Sequence, residues 1–341
     1  MHFWSNQELP CCPTYPRERG KTKLNRNRAS GYNKRRSRQI SIREKMKFKI
    51  PFLIPLFLIL LSLLCASAHA EEDSSVIISP LGVSEKTKTR WVKALEKHGV
   101  TGTTFIGTIP GNGYADKKHP RGHRDAIVFA PSTIDYKKPV EFVFFFHGLE
   151  GFGEHDFDVR LARNIKTLMN DKNFILIFPE MPWSQNTSTP RSRQNKAWVG
   201  AKPYEDLNLF SECALVAIYR YFSSELFEHP NTVTLIGHSA GGGALKQAAL
   251  SGSLDFVQPT KIIFSDADYN DYTKTVWEKY VKDHPECNLK ILVRDGDKPY
   301  KKTVSFLKRF SGKIPENIDF ITLSRKFSHK KIGDQILLWI K

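Results

Sequence analysis

From about residue 100 onward, short runs rich in Val, Ile and Phe alternate with longer stretches in which apolar positions recur every three or four residues. The short runs fall at 103–109, 126–130, 141–146, 174–178, 232–236, 261–264, 289–293 and 318–323, and those in the middle of the chain are almost continuously apolar. A strand with one face in water alternates, whereas a strand buried on both faces does not, so these runs predict a sheet covered on both sides. The amphipathic stretches predict helices over 156–169, 204–222, 240–250, 273–282, 301–310 and 330–340. Strands and helices alternating in this way make an α/β fold: a mostly parallel central sheet of about eight strands with helices on both faces. The first two strands are joined without a helix, so that corner is expected to be antiparallel. One connection, at about 182–204, is long and polar and carries Trp183 and Trp198. It reads as a loop insert that walls or partly lids a site, with a plain surface excursion as the alternative.

Composition changes this picture mainly at the N-terminus. The chain has 52 Lys and Arg against 35 Asp and Glu, a net charge of +17, but residues 1–70 hold 14 of the basic and 3 of the acidic residues. The remaining 38 and 32 leave a body of only +6, so no nucleic acid partner is expected for it. Residues 1–45 are basic and lack apolar periodicity, and are expected to be disordered or to lie ahead of a true start at Met46. Residues 46–70 read as a signal peptide: Lys47 and Lys49, an apolar run from Ile50 to Leu64, and the small-x-small site Ala68-His69-Ala70. Pro51, Pro55 and the shortness of the run disfavour the alternative of an uncleaved anchor. The expectation is therefore an exported protein, periplasmic or secreted, that meets a membrane only transiently and whose folded domain spans 71–341. Cys213 and Cys287, which lie in that domain, could form one disulfide or stay reduced, and Asn186-Thr187-Ser188 fits a glycosylation acceptor.

The chemistry concentrates at strand ends. Gly237-His238-Ser239-Ala240-Gly241 follows the strand at 232–236 and precedes a helix. A nucleophile on so sharp a turn needs small neighbours, which Gly237 and Gly241 provide, and the helix N-terminus behind it favours developing negative charge. His147-Gly148-Leu149 follows the strand at 141–146 and leads to Gly151 and Gly153. Acyl transfer passes through an oxyanion that wants two preorganised N–H donors, for which Leu149 and Ala240 are the candidates. A serine hydroxyl also needs an imidazole to take its proton, and His329, the only histidine after His284, stands between the last strand and the terminal helix. The carboxylate that orients that imidazole is sought among Asp297 and Asp295 beyond the strand at 289–293, with Asp297 placed first, and Asp266 and Asp268 beyond the preceding one. His119, His123, Asp116 and Asp125 could suggest a metal site, but Lys117, Lys118, Arg121 and Arg124 would repel a cation, so neither metal nor cofactor is expected.

Taken together, the His-Gly-Leu turn, the Gly-His-Ser-Ala-Gly-Gly elbow, a late Asp and a final His before a C-terminal helix resemble the α/β-hydrolase superfamily over roughly residues 100–341. The Ser-Ala-Gly-Gly form is similar to that of esterases, lipases and secreted polyester depolymerases. The resemblance implies an α/β-hydrolase fold and a carboxylic ester hydrolase acting on a small-molecule or polymeric ester. It implies Ser239 as nucleophile, His329 as base, Asp297 as acid with Asp295 as the alternative, and the N–H groups of Leu149 and Ala240 as the oxyanion hole. An amidase or peptidase on the same residues, or a non-catalytic binding protein with this fold, are the competing expectations.

Overall fold

The computed structural model describes residues 76–78, 85–109, 124–148, 157–181, 207–223, 231–333 and 335–341. Several of the features expected above, namely the leader at 46–70, the His119–His123 cluster, Leu149, Gly151, Gly153, the acceptor at Asn186 and the insert at about 182–204, lie outside these residues.

Among the described residues nine strands form one sheet: β1 (Val76–Ile78), β2 (Gly102–Ile109), β3 (Arg124–Pro131), β4 (Glu141–Phe146), β5 (Phe174–Pro179), β6 (Thr232–His238), β7 (Lys261–Ser265), β8 (Asn288–Arg294) and β9 (Ile318–Leu323). Their order is β1-β2-β3-β5-β4-β6-β7-β8-β9. Only β3 runs against its neighbours, as the helix-free β2–β3 connection predicted; every other pairing is parallel. All eight runs read from the sequence are strands. Two elements ahead of them were not foreseen: β1, and the helix α1 (Glu85–His98). That helix is mostly charged, but Trp91, Ala94 and Leu95 share one face and are buried, and the Trp91 indole donates to Thr104 Oγ1 on β2 at 3.2 Å.

The apolar runs fill both faces because alternate residues point opposite ways. Phe142, Phe144 and Phe146 of β4 pack under α3 (Leu207–Tyr221) and α4 (Gly242–Ser251), through Phe210, Ala214, Leu245 and Ala248. Val143 and Phe145 face the other way, onto α1, α2 (Phe157–Leu168) and the C-terminal turn Ile336–Ile340. Each such aromatic, fully buried, contributes roughly 2–3 kcal/mol, so this two-sided layer is the main source of stability. No disulfide joins Cys213 and Cys287. Burial, and secondarily Glu286, pushes the Cys287 thiol up to about 12, which keeps it inert.

The strand order places the site. From β4 the chain crosses through α2 to β5 on one side, then through α3 back past β4 to β6 on the other. The two crossovers diverge between β4 and β6, and a crevice opens at the carboxyl ends of strands where this happens.

Candidate active site

At that divergence Phe146 pairs with Gly237, and one strand further His238 pairs with Ser265. Carried on past the strand ends, these registers make Gly148, Ser239 and Asp266 level. Neighbouring strands are about 4.8 Å apart, so Ser239 and Asp266 leave the sheet side by side.

Ser239 follows β6 with φ 53°, the left-handed region that non-glycine residues occupy at a cost of about 1–3 kcal/mol. A short turn, Ser239–Gly241, then feeds α4. Tight packing holds the elbow in this shape. A Cβ on Gly237 would stand 2.8 Å from the Gly241 carbonyl oxygen, and one on Gly241 would run into the carbonyl of Phe146. Gly148 is equally close on the other side, since a Cβ there would meet Ser239 Cβ at 2.9 Å. The backbone after β4 thus lies against Ser239. Ala240 sits in the first turn behind Ser239, where an N–H has no carbonyl one turn earlier to bond.

His147 is fully buried and organises the approach to that backbone. Its Nε2 accepts from the Met181 N–H at 2.9 Å, so the proton resides on Nδ1, which donates to the Gly148 carbonyl at 2.6 Å.

Beyond α5 (Ser253–Val257), α6 (Tyr272–Val276), α7 (Lys298–Leu307) and β9, His329 opens the short helix α8 (His329–Gly333). Its Nδ1 lies 2.6 Å from Asp266 Oδ2. The imidazole is 37% exposed and the carboxylate 1%, so a buried carboxylate holds a ring that solvent can reach. The His329 ring stacks on His238, with centroids 4.7 Å apart at 23°, and so lies beside the residue that precedes Ser239. Asp266 has φ 48°, its N–H donates to the Leu292 carbonyl at 2.7 Å, and its Oδ1 is buried without a partner among the described residues.

The acid is the one expectation the geometry corrects. Asp297 does not reach His329: its carboxylate is gripped by Arg294, through Nε at 2.5 Å and through Nη2. Asp295 accepts from Arg325 Nε at 3.1 Å. Both lie beyond β8, two strands away from the elbow, each with a guanidinium already attached. Asp268, fully buried, accepts from the Thr273 N–H at 3.2 Å and Thr303 Oγ1 at 3.1 Å, a scaffold contact away from the imidazole. The carboxylate on His329 is Asp266.

One further side chain escaped the sequence reading. The phenol of Tyr269, three residues past Asp266, comes within reach of the Ser239 hydroxyl. Burial, and then the charge of Asp266, push it up to about 12, so it stays a neutral phenol beside Ser239.

A serine on a sharp turn after a central parallel strand, with Asp266 and His329 at later strand ends in the order Ser, Asp, His, on a mostly parallel sheet covered on both faces, is the arrangement seen in α/β-hydrolases. Among solved structures the chain is similar to the feruloyl esterase module from Clostridium thermocellum (12% identity, 79% of this chain and 95% of that one, TM-score 0.42). It is likewise similar to an S-formylglutathione hydrolase from Agrobacterium tumefaciens (12%, 70% and 94%, TM-score 0.41) and to a hyperthermophilic esterase from Pyrobaculum calidifontis (12%, 75% and 91%, TM-score 0.42). No protein-family model and no curated protein sequence matches it.

Proposed function

We propose that this protein is an exported serine hydrolase that cleaves carboxylic esters through an acyl-enzyme on Ser239, with His329 as general base and Asp266 as the acid. The observation that carries the reading is the Nδ1–Oδ2 contact of 2.6 Å between His329 and a buried Asp266 beside a strained elbow serine. Export is read from the leader at 46–70.

The steps follow from the roles. With Nδ1–H held by Asp266, the imidazole keeps a lone pair on Nε2, which takes the proton as Ser239 Oγ attacks the ester carbonyl carbon. Negative charge gathers on the former carbonyl oxygen. The Ala240 N–H, at the head of α4, and the Leu149 N–H are the donors assigned to it. The intermediate collapses, the C–O bond to the alcohol breaks, and His329 returns its proton to the departing oxygen. Water then repeats the sequence on the acyl-enzyme, releasing the acid and restoring Ser239. No cofactor enters any step.

The test is labelling by a fluorophosphonate probe followed by turnover of a panel of aryl and alkyl esters and anilides. Labelling of the wild type and its loss in Ser239→Ala are expected, with ester turnover lowered by about three to six orders of magnitude in that variant. Retention of wild-type ester turnover by Ser239→Ala would sink the assignment, and faster cleavage of anilides than of esters would move it to an amidase.

A further inference from the structure

The residue before the nucleophile stacks on one other member of the proposed triad and is hydrogen-bonded to the residue next to the other. His238 is 6% exposed, a buried imidazole at the end of β6. Its Nδ1 lies 2.9 Å from the Ser265 carbonyl oxygen, and because a carbonyl can only accept, Nδ1 carries a proton and donates it. The ring is thereby tied to the residue immediately before Asp266. One face of it carries the His329 ring, with 4.7 Å between centroids and 23° between planes. Its far edge meets α8, where a Cβ on Gly333 would come within 2.9 Å of Nε2. Glycine at that position lets the first turn of α8 settle onto the ring.

The arrangement answers a mechanical problem at the base. His329 is half-exposed on a five-residue helix, and its bond to Asp266 fixes a single point of the ring. Rotation about that bond remains, and it would swing Nε2 toward or away from Ser239. A flat partner beneath the ring removes this freedom, because tilting would forfeit the stacking contact. We propose that His238 is a positioning residue, a fixed imidazole platform that sets the plane of His329 so that its two nitrogens address Asp266 and Ser239 together. This rests on the triad proposed above.

Four variants of the full chain test it: His238→Ala, which removes ring and donor; His238→Phe, which keeps the stack alone; His238→Asn, which keeps a donor toward Ser265 alone; and Ser239→Ala. Two readouts are independent of substrate identity. One is the second-order rate of fluorophosphonate labelling, corrected for folded protein. The other is the proton NMR resonance of the His329–Asp266 bond, strongly deshielded in so short a contact. Labelling by His238→Ala and His238→Asn should slow by roughly ten- to a hundredfold, the penalty of a small misplacement, with that resonance broadened or lost. His238→Phe should stay within about threefold of wild type and keep the resonance, rescue that a need for the hydrogen bond alone could not give. If His238→Ala does not fold, the Phe and Asn variants decide by the same comparison. Wild-type labelling rates in His238→Ala or His238→Asn, or a His238→Phe variant as slow as His238→Asn, would overturn the platform while leaving the triad intact. Labelling of Ser239→Ala would instead overturn the triad.

Discussion

Two consecutive strands, β7 and β8, end in the same kind of sequence, Asp-Ala-Asp and Asp-Gly-Asp, yet do opposite things with it. Past β7, Asp266 and Asp268 are buried, with no lysine or arginine on either among the described residues; one carboxylate meets an imidazole and the other two threonine donors. Past β8, Asp295 and Asp297 are partly exposed and both are paired with guanidinium groups. A carboxylate already paired with Arg has little left to offer a histidine. An acid that must stabilise an imidazolium works best where nothing else competes for it and water is excluded. The difference lies in charge and depth rather than in the motif.

The largest effect should come from exchanging the two ends. Asp266→Asn is expected to lower kcat by about three to four orders of magnitude, because an amide in its place no longer holds the Nδ1–H tautomer and leaves the imidazolium unsupported. Asp297→Asn should stay within about twofold of wild type, since it touches Arg294 rather than the base. Steady-state kinetics on the best ester of the panel, with folding checked by circular dichroism, separates them. A crippled Asp297→Asn beside an active Asp266→Asn would restore the acid expected from the sequence alone.

That expectation failed for a traceable reason. All eight runs read from hydrophobicity became strands, because burial on both faces writes itself into consecutive residues such as Glu141–Phe146 and Phe174–Pro179. The elbow was legible because the glycines on either side of Ser239, Gly237 and Gly241, are demanded by local crowding. The acid was not, because its position depends on register: Ser265 is level with His238, and that pairing between β6 and β7 puts Asp266 beside Ser239. A clue was nonetheless present. Between Lys261 and Lys274 the chain has no basic residue, whereas Asp295 and Asp297 lie between Arg294 and Lys298. Helix α1 was hidden by its charge, since only the spacing of Trp91, Ala94 and Leu95 betrays it. Gly99 at φ 56°, a left-handed stop, closes it.

Within the β7 end, the two carboxylates should separate function from stability. Asp268→Ala leaves Thr303 Oγ1 and the Thr273 N–H without their acceptor in a buried place, and should destabilise by about 2–4 kcal/mol while kcat per folded molecule stays within about twofold of wild type. Burial raises the Asp268 pKa more than its hydrogen bonds lower it, so the folded chain holds that proton to higher pH than the unfolded chain. In the window between the ordinary carboxylate value and the raised one, the native state binds more protons, so this group's contribution to stability falls as pH rises. Acidification from pH 7 to about 5 should therefore shift the stability difference between wild type and Asp268→Asn in favour of wild type. Urea midpoints at the two pH values read this directly. A shift in the opposite direction would mean that Asp268 is stabilised as an anion.

The smallest effects belong to the β8 end, and they probe whether its ion pairs are mere surface features. Asp295 and Arg325 meet at 3.1 Å, with side chains 43% and 75% exposed. Water screens such a pair, and ordering a long arginine offsets much of the attraction. The Arg294–Asp297 pair is more sheltered, at 27% and 30%, and links the last residue of β8 to the start of helix α7 (Lys298–Leu307). A double-mutant cycle with Asp297→Asn and Arg294→Gln should return a coupling of about 0.5–1 kcal/mol, and the cycle with Asp295→Asn and Arg325→Gln about 0–0.5 kcal/mol, both shrinking in 1 M salt. Neither cycle should change fluorophosphonate labelling by more than about twofold, because neither pair supports the imidazole. Slow labelling in the Asp295→Asn single variant would show that the β8 loop reaches the base after all, and the contrast between the two strand ends would then fail where it is expected to be safest.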